Sequence, residues 1–361
     1  MLQRSLALTA LALGLIAGQA RTAEADLTAS LKKGDVTLKA AGAIAFGPQG
    51  ILFIGDSAGA AVYAVDTGDR TAPAGGARPK VDGINEKIAD LLGVKAGDVR
   101  IRDVAVNPAS HNVYLSVARG QGRAATPVVL RLANNKLEEV ALKDVKQAKA
   151  SIPNAATGGR QEAITHLAYY KGRVLVAGQS NEEFSSKLRS IPFPFDETAK
   201  PQETGIEIYH GAHGKFETKS PIRVFTTYKI GDEDYLLAAY QCTPLVKIPV
   251  KQLKSGEKVK GVTVAELGNR NRPLSMLVYN KGGKDYVLMA NNSRGLMKIQ
   301  LDGVDKIESI TSRVNGTAGL KYDTVEGMAG VQKIDAFDKD HALVLLKGKG
   351  GSLNLGTIEL P

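Results

Sequence analysis

One phrase recurs along this chain: an apolar strand, a short polar turn and a second strand. It restricts the possible folds more than any other feature. Its clearest copy is residues 235–250 (YLLAAYQCTPLVKIPV), and others stand at 51–66 (ILFIGDSAGAAVYAVD), 112–132, 173–193, 286–302 (YVLMANNSRGLMKIQLD) and 342–360. Self-similarity at intervals of tens of residues marks an array whose units bury a core only against their neighbours. Runs of Val, Ile, Leu and Tyr broken by Gly and Asn make each unit an antiparallel sheet.

Each full unit opens on a further strand, at 43–46, 102–106, 165–169, 221–225, 274–279 and 327–331. Starts about 50–60 residues apart suit four-stranded blades. The expected fold is therefore all-β, a six-bladed propeller of four-stranded antiparallel blades. Seven blades are the alternative if 67–98 or 196–220 holds another. A ring of small sheets removes most exposed edges and needs all its blades, so residues 26–361 read as one domain. The orphan strand near Val36 and Leu38 is expected to close the last blade. Residues 85–92 (NEKIADLL), stopped by Gly93, read as a short inserted helix.

Residues 1–25 read as a signal peptide. Arg4 precedes an apolar stretch at 6–17, too short to span a bilayer, and Ala23-Glu24-Ala25 offers a small-x-small cleavage pattern. The expected location is the periplasm or the exterior, with no membrane span after cleavage. Loss of Arg4, Arg21 and Glu24 leaves 45 basic against 36 acidic residues. The basic side chains are scattered singly rather than in runs, which points away from nucleic acid and towards a solvated surface. A monomer with a small-molecule or envelope-protein partner is the expectation. The sole cysteine, Cys242, cannot close an intrachain disulfide.

Trp is absent, which removes the Trp-bearing signatures of WD-repeat, quinoprotein and Asp-box propellers. The repeated inner strand, Pro/Gly turn and second strand, as in DVAVNPASHNVYLSV, resembles the NHL, YVTN and gluconolactonase-type propellers. That resemblance implies a propeller fold. In its metal-binding members it implies a hard cation such as calcium on a Glu, Asn and Asp set, near which Glu162, Glu326 and Asp103 stand.

Antiparallel order places the starts of inner strands and the turns between second and third strands on one face. That face gathers Arg102, Asp103, Arg272, Arg294 and Glu326 as candidate ligand-binding residues. It also gathers His166, opening the third unit, and Cys242, in the turn of the fourth. His210 and His213 lie in a Gly-rich HGAHG turn between them. Imidazole with thiolate suits zinc or copper, so His166, His210, His213 and Cys242 are the candidate metal ligands, expected at the seam of the third and fourth blades. The alternative is that the glycines make a tight turn and the imidazoles serve backbone carbonyls. His111 and His341 fall in opposite-face turns, where solvent exposure is expected. Ser57 in FIGDS and the Asp338/His341 pair match blocks of GDS-type esterases, but they fall on opposite faces and no oxyanion block accompanies them. The function expected is an exported binding protein with a transition-metal site. The alternatives are a metal-free envelope scaffold and a lactonase-like or esterase-like hydrolase.

Overall fold

A computed structural model of the protein describes residues 26–72, 77–157, 162–196, 200–242 and 244–361. The expected signal peptide lies outside the described residues. Among them, no helix is long and apolar enough to cross a membrane.

The second strand of each unit is apolar on both faces because both faces are covered. Ile51–Asp56 is buried along its whole length, as are the last five residues of Glu233–Tyr240 and of Lys284–Asn291. Such strands read as continuous apolar runs, whereas a sheet with one wet face alternates. Six sheets result, and inner strands open them at Ile44–Phe46, Val99–Val106, His166–Tyr170, Ile222–Ile230, Pro273–Lys281 and Val331–Ala336. The expectation of a six-bladed, mostly four-stranded antiparallel propeller holds. Residues 196–220 supply outer strands of the third blade, Gln202–His210 and Lys215–Glu217, rather than a seventh blade. The inserted helix is Ile84–Leu92, ended by Gly93 in the left-handed region at φ 66°. The sixth inner strand begins four residues later than its sequence pattern suggests, at Val331.

The blades do not follow chain order around the ring. The first inner strand packs between the second and the third, and the second packs against the sixth. The ring therefore runs first, third, fourth, fifth, sixth, second. Six apolar clusters fill its six seams. Phe53, Val62, Leu167 and Val176 lie between the first and third blades, for example, and Val104, Leu115, Leu343 and Leu345 between the second and sixth. Burying one such side chain is worth about 1.5–3 kcal/mol.

Closure follows from this order. Lys80–Val81, just ahead of the second blade, pairs with Leu353–Glu359 as the outer strand of the sixth. The expected closing segment near Val36 instead lies by the first blade, where Lys32–Gly34 pairs with Val145–Ser151. The chain must leave the first blade, build the second, and return to finish the first, so its own N-terminal strand has an edge there to cover. The fourth blade likewise borrows Thr317–Gly319.

A buried carboxylate pins the crossing from first to second blade. Asp69 accepts from Ser110 Oγ at 2.8 Å, Tyr114 OH at 3.0 Å and Asn112 Nδ2 at 3.0 Å. Replacing Asp69 by Ala leaves three buried donors without an acceptor. It should cost about 2–4 kcal/mol, since each unmet buried group costs about 1–3 kcal/mol and the losses overlap. Urea denaturation of Asp69→Ala checks this, and an unchanged midpoint contradicts it.

Candidate metal centre and axial cavity

His210 ends the strand Gln202–His210, and Lys215–Glu217 returns beside it with His210 opposite Lys215 and Ile208 opposite Glu217. Side chains two apart on a strand share a face, so Glu217 projects on the side of His210. His213 lies in the intervening turn. Its N–H and that of Gly214 both reach the His210 carbonyl, at 3.1 and 2.8 Å, and Gly214 takes φ 66°. On a straight strand His210 and His213 would face opposite ways, but this turn brings their rings to 3.9 Å.

The result is a group of two imidazoles and one carboxylate whose ligand atoms all lie within 4.8 Å of one another. Glu217 is bonded to His213 Nδ1 at 2.6 Å, His210 Nδ1 at 3.0 Å and Ser220 Oγ at 2.5 Å. Burial works against its charge, yet the hydrogen bonds from His210, Ser220 and His213 outweigh it and hold the carboxyl at about 2. Glu217 is thus a ready anionic ligand. His210 is 2 % exposed and its Nε2 is buried without a partner, whereas His213 is 48 % exposed. The group is buried on one side and open on the other.

Behind it stands Glu266, from Val262–Leu267 of the fourth blade. One carboxylate oxygen accepts the Gly211 N–H at 2.5 Å and the other is buried without a partner. Burial raises its carboxyl above the ordinary range. A Cβ on Gly211 would come within 2.9 Å of that carboxylate, so this position tolerates only glycine without a shift. The hairpin of the third blade is thereby seated on the fourth.

The structure brings His210 and His213 together at the seam of the third and fourth blades, with Glu217 as the third member. His166 and Cys242 stand elsewhere. His166 lines the cavity on the ring axis, packed edge-on to Phe225 at 4.8 Å. Cys242 is half-buried in the turn after Glu233–Tyr240, and its N–H donates to Asn271 at the start of the fifth blade. Glu217 was legible in principle. Once HGAHG is read as a hairpin turn, strand alternation puts the glutamate of KFE on the face of His210.

Four inner strands carry a register irregularity near their start, at 101/103, 222/224, 273/275 and 331/333. Such a bulge re-aims the residues around it. Arg102 is consequently exposed, while Asp103 turns inward, accepts the Ile44 N–H at 3.0 Å and pairs with Lys333 at 3.0 Å. Arg272 and Arg223 flank Glu162, at 3.9 and 2.9 Å. Arg294 donates to the Leu267 and Asn269 carbonyls, at 2.9 and 3.1 Å, and so ties fifth blade to fourth. Glu326 is exposed in the loop ahead of the sixth inner strand. Glu162, Glu326 and Asp103 form no such group among the described residues. Ser57 Oγ accepts the Ile164 N–H, whereas His341 pairs with Asp338 at 2.8 Å in a turn of the sixth blade. His341 is buried rather than exposed, and its ring is held by Asp338.

The inner strands enclose an axial cavity of about 380 Å³ lined by Asp103, Asp335, His166, Thr226, Ser275, Phe46 and Tyr169, among others. Asp335 accepts the Val106 N–H at 2.7 Å and the Ala336 N–H at 2.9 Å. Burial, reinforced by the nearby Asp103 charge, pushes its carboxyl up to about 7. Burial also drives His166 down to about 4, so the imidazole is neutral at physiological pH.

These features define the chain as a six-bladed β-propeller with a His/His/Glu group that could hold a metal. No known family matches the sequence, and no curated protein is recognisably similar to it. Solved structures align with the chain distantly, at low identity. Extracellular domains 1–2 of Drosophila Semaphorin 1b align at 9 % identity over 92 % of this chain and 88 % of theirs, with a TM-score of 0.41. The PQQ-bound aldose sugar dehydrogenase of Streptomyces coelicolor aligns at 14 % over 91 % and 96 %, with a TM-score of 0.34. At these values the alignments carry no argument about what this chain does.

Asp335 carries a pH prediction. Its folded pKa of about 7 lies above its ordinary 3.8, so its contribution is fully present below 3.8 and is lost as pH rises through 7. Between those limits the wild type should lose on the order of 2 kcal/mol, solvent in the open cavity screening part of the shift. Asp335→Asn should flatten that decline in melting curves taken across the range. Parallel profiles for the two proteins would contradict the assignment.

Proposed function

We propose that this protein is an exported propeller that binds a transition-metal ion, zinc or copper, through His210, His213 and Glu217. The observation that carries the reading is the convergence of two imidazoles and an ionised carboxylate in one hairpin, with His210 Nε2 buried and unpartnered. Buried polar atoms of folded proteins nearly always have partners, and a bound cation supplies one. Two nitrogens and one oxygen form a borderline donor set that suits zinc or copper, whereas calcium prefers oxygen ligands throughout. Three protein ligands leave a coordination position free, and the exposed side of His213 opens it to solvent.

Export rests on the leader-like sequence of residues 1–25. In this reading His166 and Cys242 are not ligands, and Asp103 serves the ring.

Protein prepared without a histidine tag should take up one equivalent of zinc or copper and melt at a higher temperature with it, because an ion that binds only the folded state stabilises it. His210→Ala and Glu217→Gln should abolish both effects, while Cys242→Ala and His166→Phe leave them in place. Failure of the wild type to retain either metal after gel filtration, or full retention by His210→Ala, would refute the assignment.

A further inference from the structure

The axial cavity has a chemistry distinct from that of the seam. Its lining includes two carboxylate residues, Asp103 and Asp335, among residues of the six inner strands, and no Lys or Arg is part of it. Asp103 is already compensated by Lys333, whose ammonium also donates to the Leu274 carbonyl at 3.1 Å. Asp335 has no cationic partner among the described residues; each of its oxygens accepts a single backbone N–H, which leaves acceptor capacity unused. The third and sixth blades stand opposite each other in the ring, so His166 and Asp335 line opposing walls. His166 Nδ1 is buried and lacks a partner.

We infer that the axial cavity binds a small organic ammonium ion, with Asp335 as its counter-charge and His166 as a further polar contact. Three considerations select this class. An anion would meet uncompensated carboxylate and no free cation. A bare metal ion would find no group of ligand atoms drawn together, since such a group exists among the described residues only at the seam. It would also leave most of a cavity of about 380 Å³ unfilled. An alkyl or aryl ammonium combines a charge for Asp335 with an organic body large enough to occupy the rest of the cavity. The ammonium has three donors, and a neutral imidazole and the Ser275 and Thr226 hydroxyls can accept them. The raised pKa of Asp335 fits an acid that lacks a counter-ion, and a bound cation would restore its charge.

Calorimetric titration of the full chain with benzylamine and with butane-1,4-diamine, buffered above the Asp335 pKa, tests the inference. Benzyl alcohol, which keeps the shape of benzylamine and lacks the charge, is the control. At least one amine should bind the wild type, benzyl alcohol should bind at least about tenfold more weakly than benzylamine, and Asp335→Asn should lower amine affinity at least about tenfold. That variant keeps a carbonyl oxygen for the buried Val106 N–H and gives up only the acceptor for the exposed Ala336 N–H, and circular dichroism checks that it folds. Absence of binding by both amines, equal binding of alcohol and amine, or amine affinity unchanged in a folded Asp335→Asn would overturn the proposal. The readout needs no metal, so its failure is separable from that of the seam site.

Discussion

The molecule depends on how six inner strands are held around an axis without pairing to one another. They belong to six separate sheets, so their neighbouring backbones cannot satisfy each other through a ladder. Side chains of the next blade do it instead. Asp103 of the second blade receives the Ile44 N–H of the first, Asp335 of the sixth receives Val106 of the second, and Ser275 of the fifth receives Ile334 of the sixth. Buried N–H groups must find acceptors, so polar residues on the axis are first a requirement of the ring. The bulges at 101/103 and 273/275 turn Asp103 and Ser275 inward and send Arg102 outward.

The same logic separates two polar regions that differ in what remains unmet. On the axis, Asp103 has Lys333 and a backbone donor, whereas Asp335 has backbone donors alone. At the seam, Glu217 has three donors and is held ionised, while His210 Nε2 and one Glu266 oxygen are buried with nothing to meet. Low dielectric makes such unmet groups costly. The hairpin is nonetheless held in place by Gly211 seated on Glu266 and by the Val314 N–H on the Gly211 carbonyl. A metal ion there would draw on a scaffold already rigid, and the order it requires is supplied by the fold.

Much of the architecture was legible because it is local. Apolar runs such as ILFIGD mark strands covered on both faces, and NEKIADLLG marks a helix with its stop. The ring order was not legible, because the side of the first blade on which the second packs depends on seam contacts between residues far apart in sequence. Closure by Lys80–Val81 was hidden because two residues carry no pattern. At the candidate site, His210 and His213 were found by their Gly-flanked spacing. Glu217 was not legible from spacing alone, because its place beside His210 depends on hairpin register. Sharing a face does not fix radial distance: His166 sits on the axis and Cys242 in a turn bonded to the fifth blade.

The central claim is a metal ion held by two imidazoles and a carboxylate in one hairpin, without the cysteine. X-ray absorption at the edge of the metal bound by untagged protein tests it most directly. The account predicts nitrogen and oxygen neighbours at about 2.0–2.1 Å with the multiple-scattering pattern of two imidazoles. A sulfur neighbour at about 2.3 Å, or a first shell without imidazole, would contradict it.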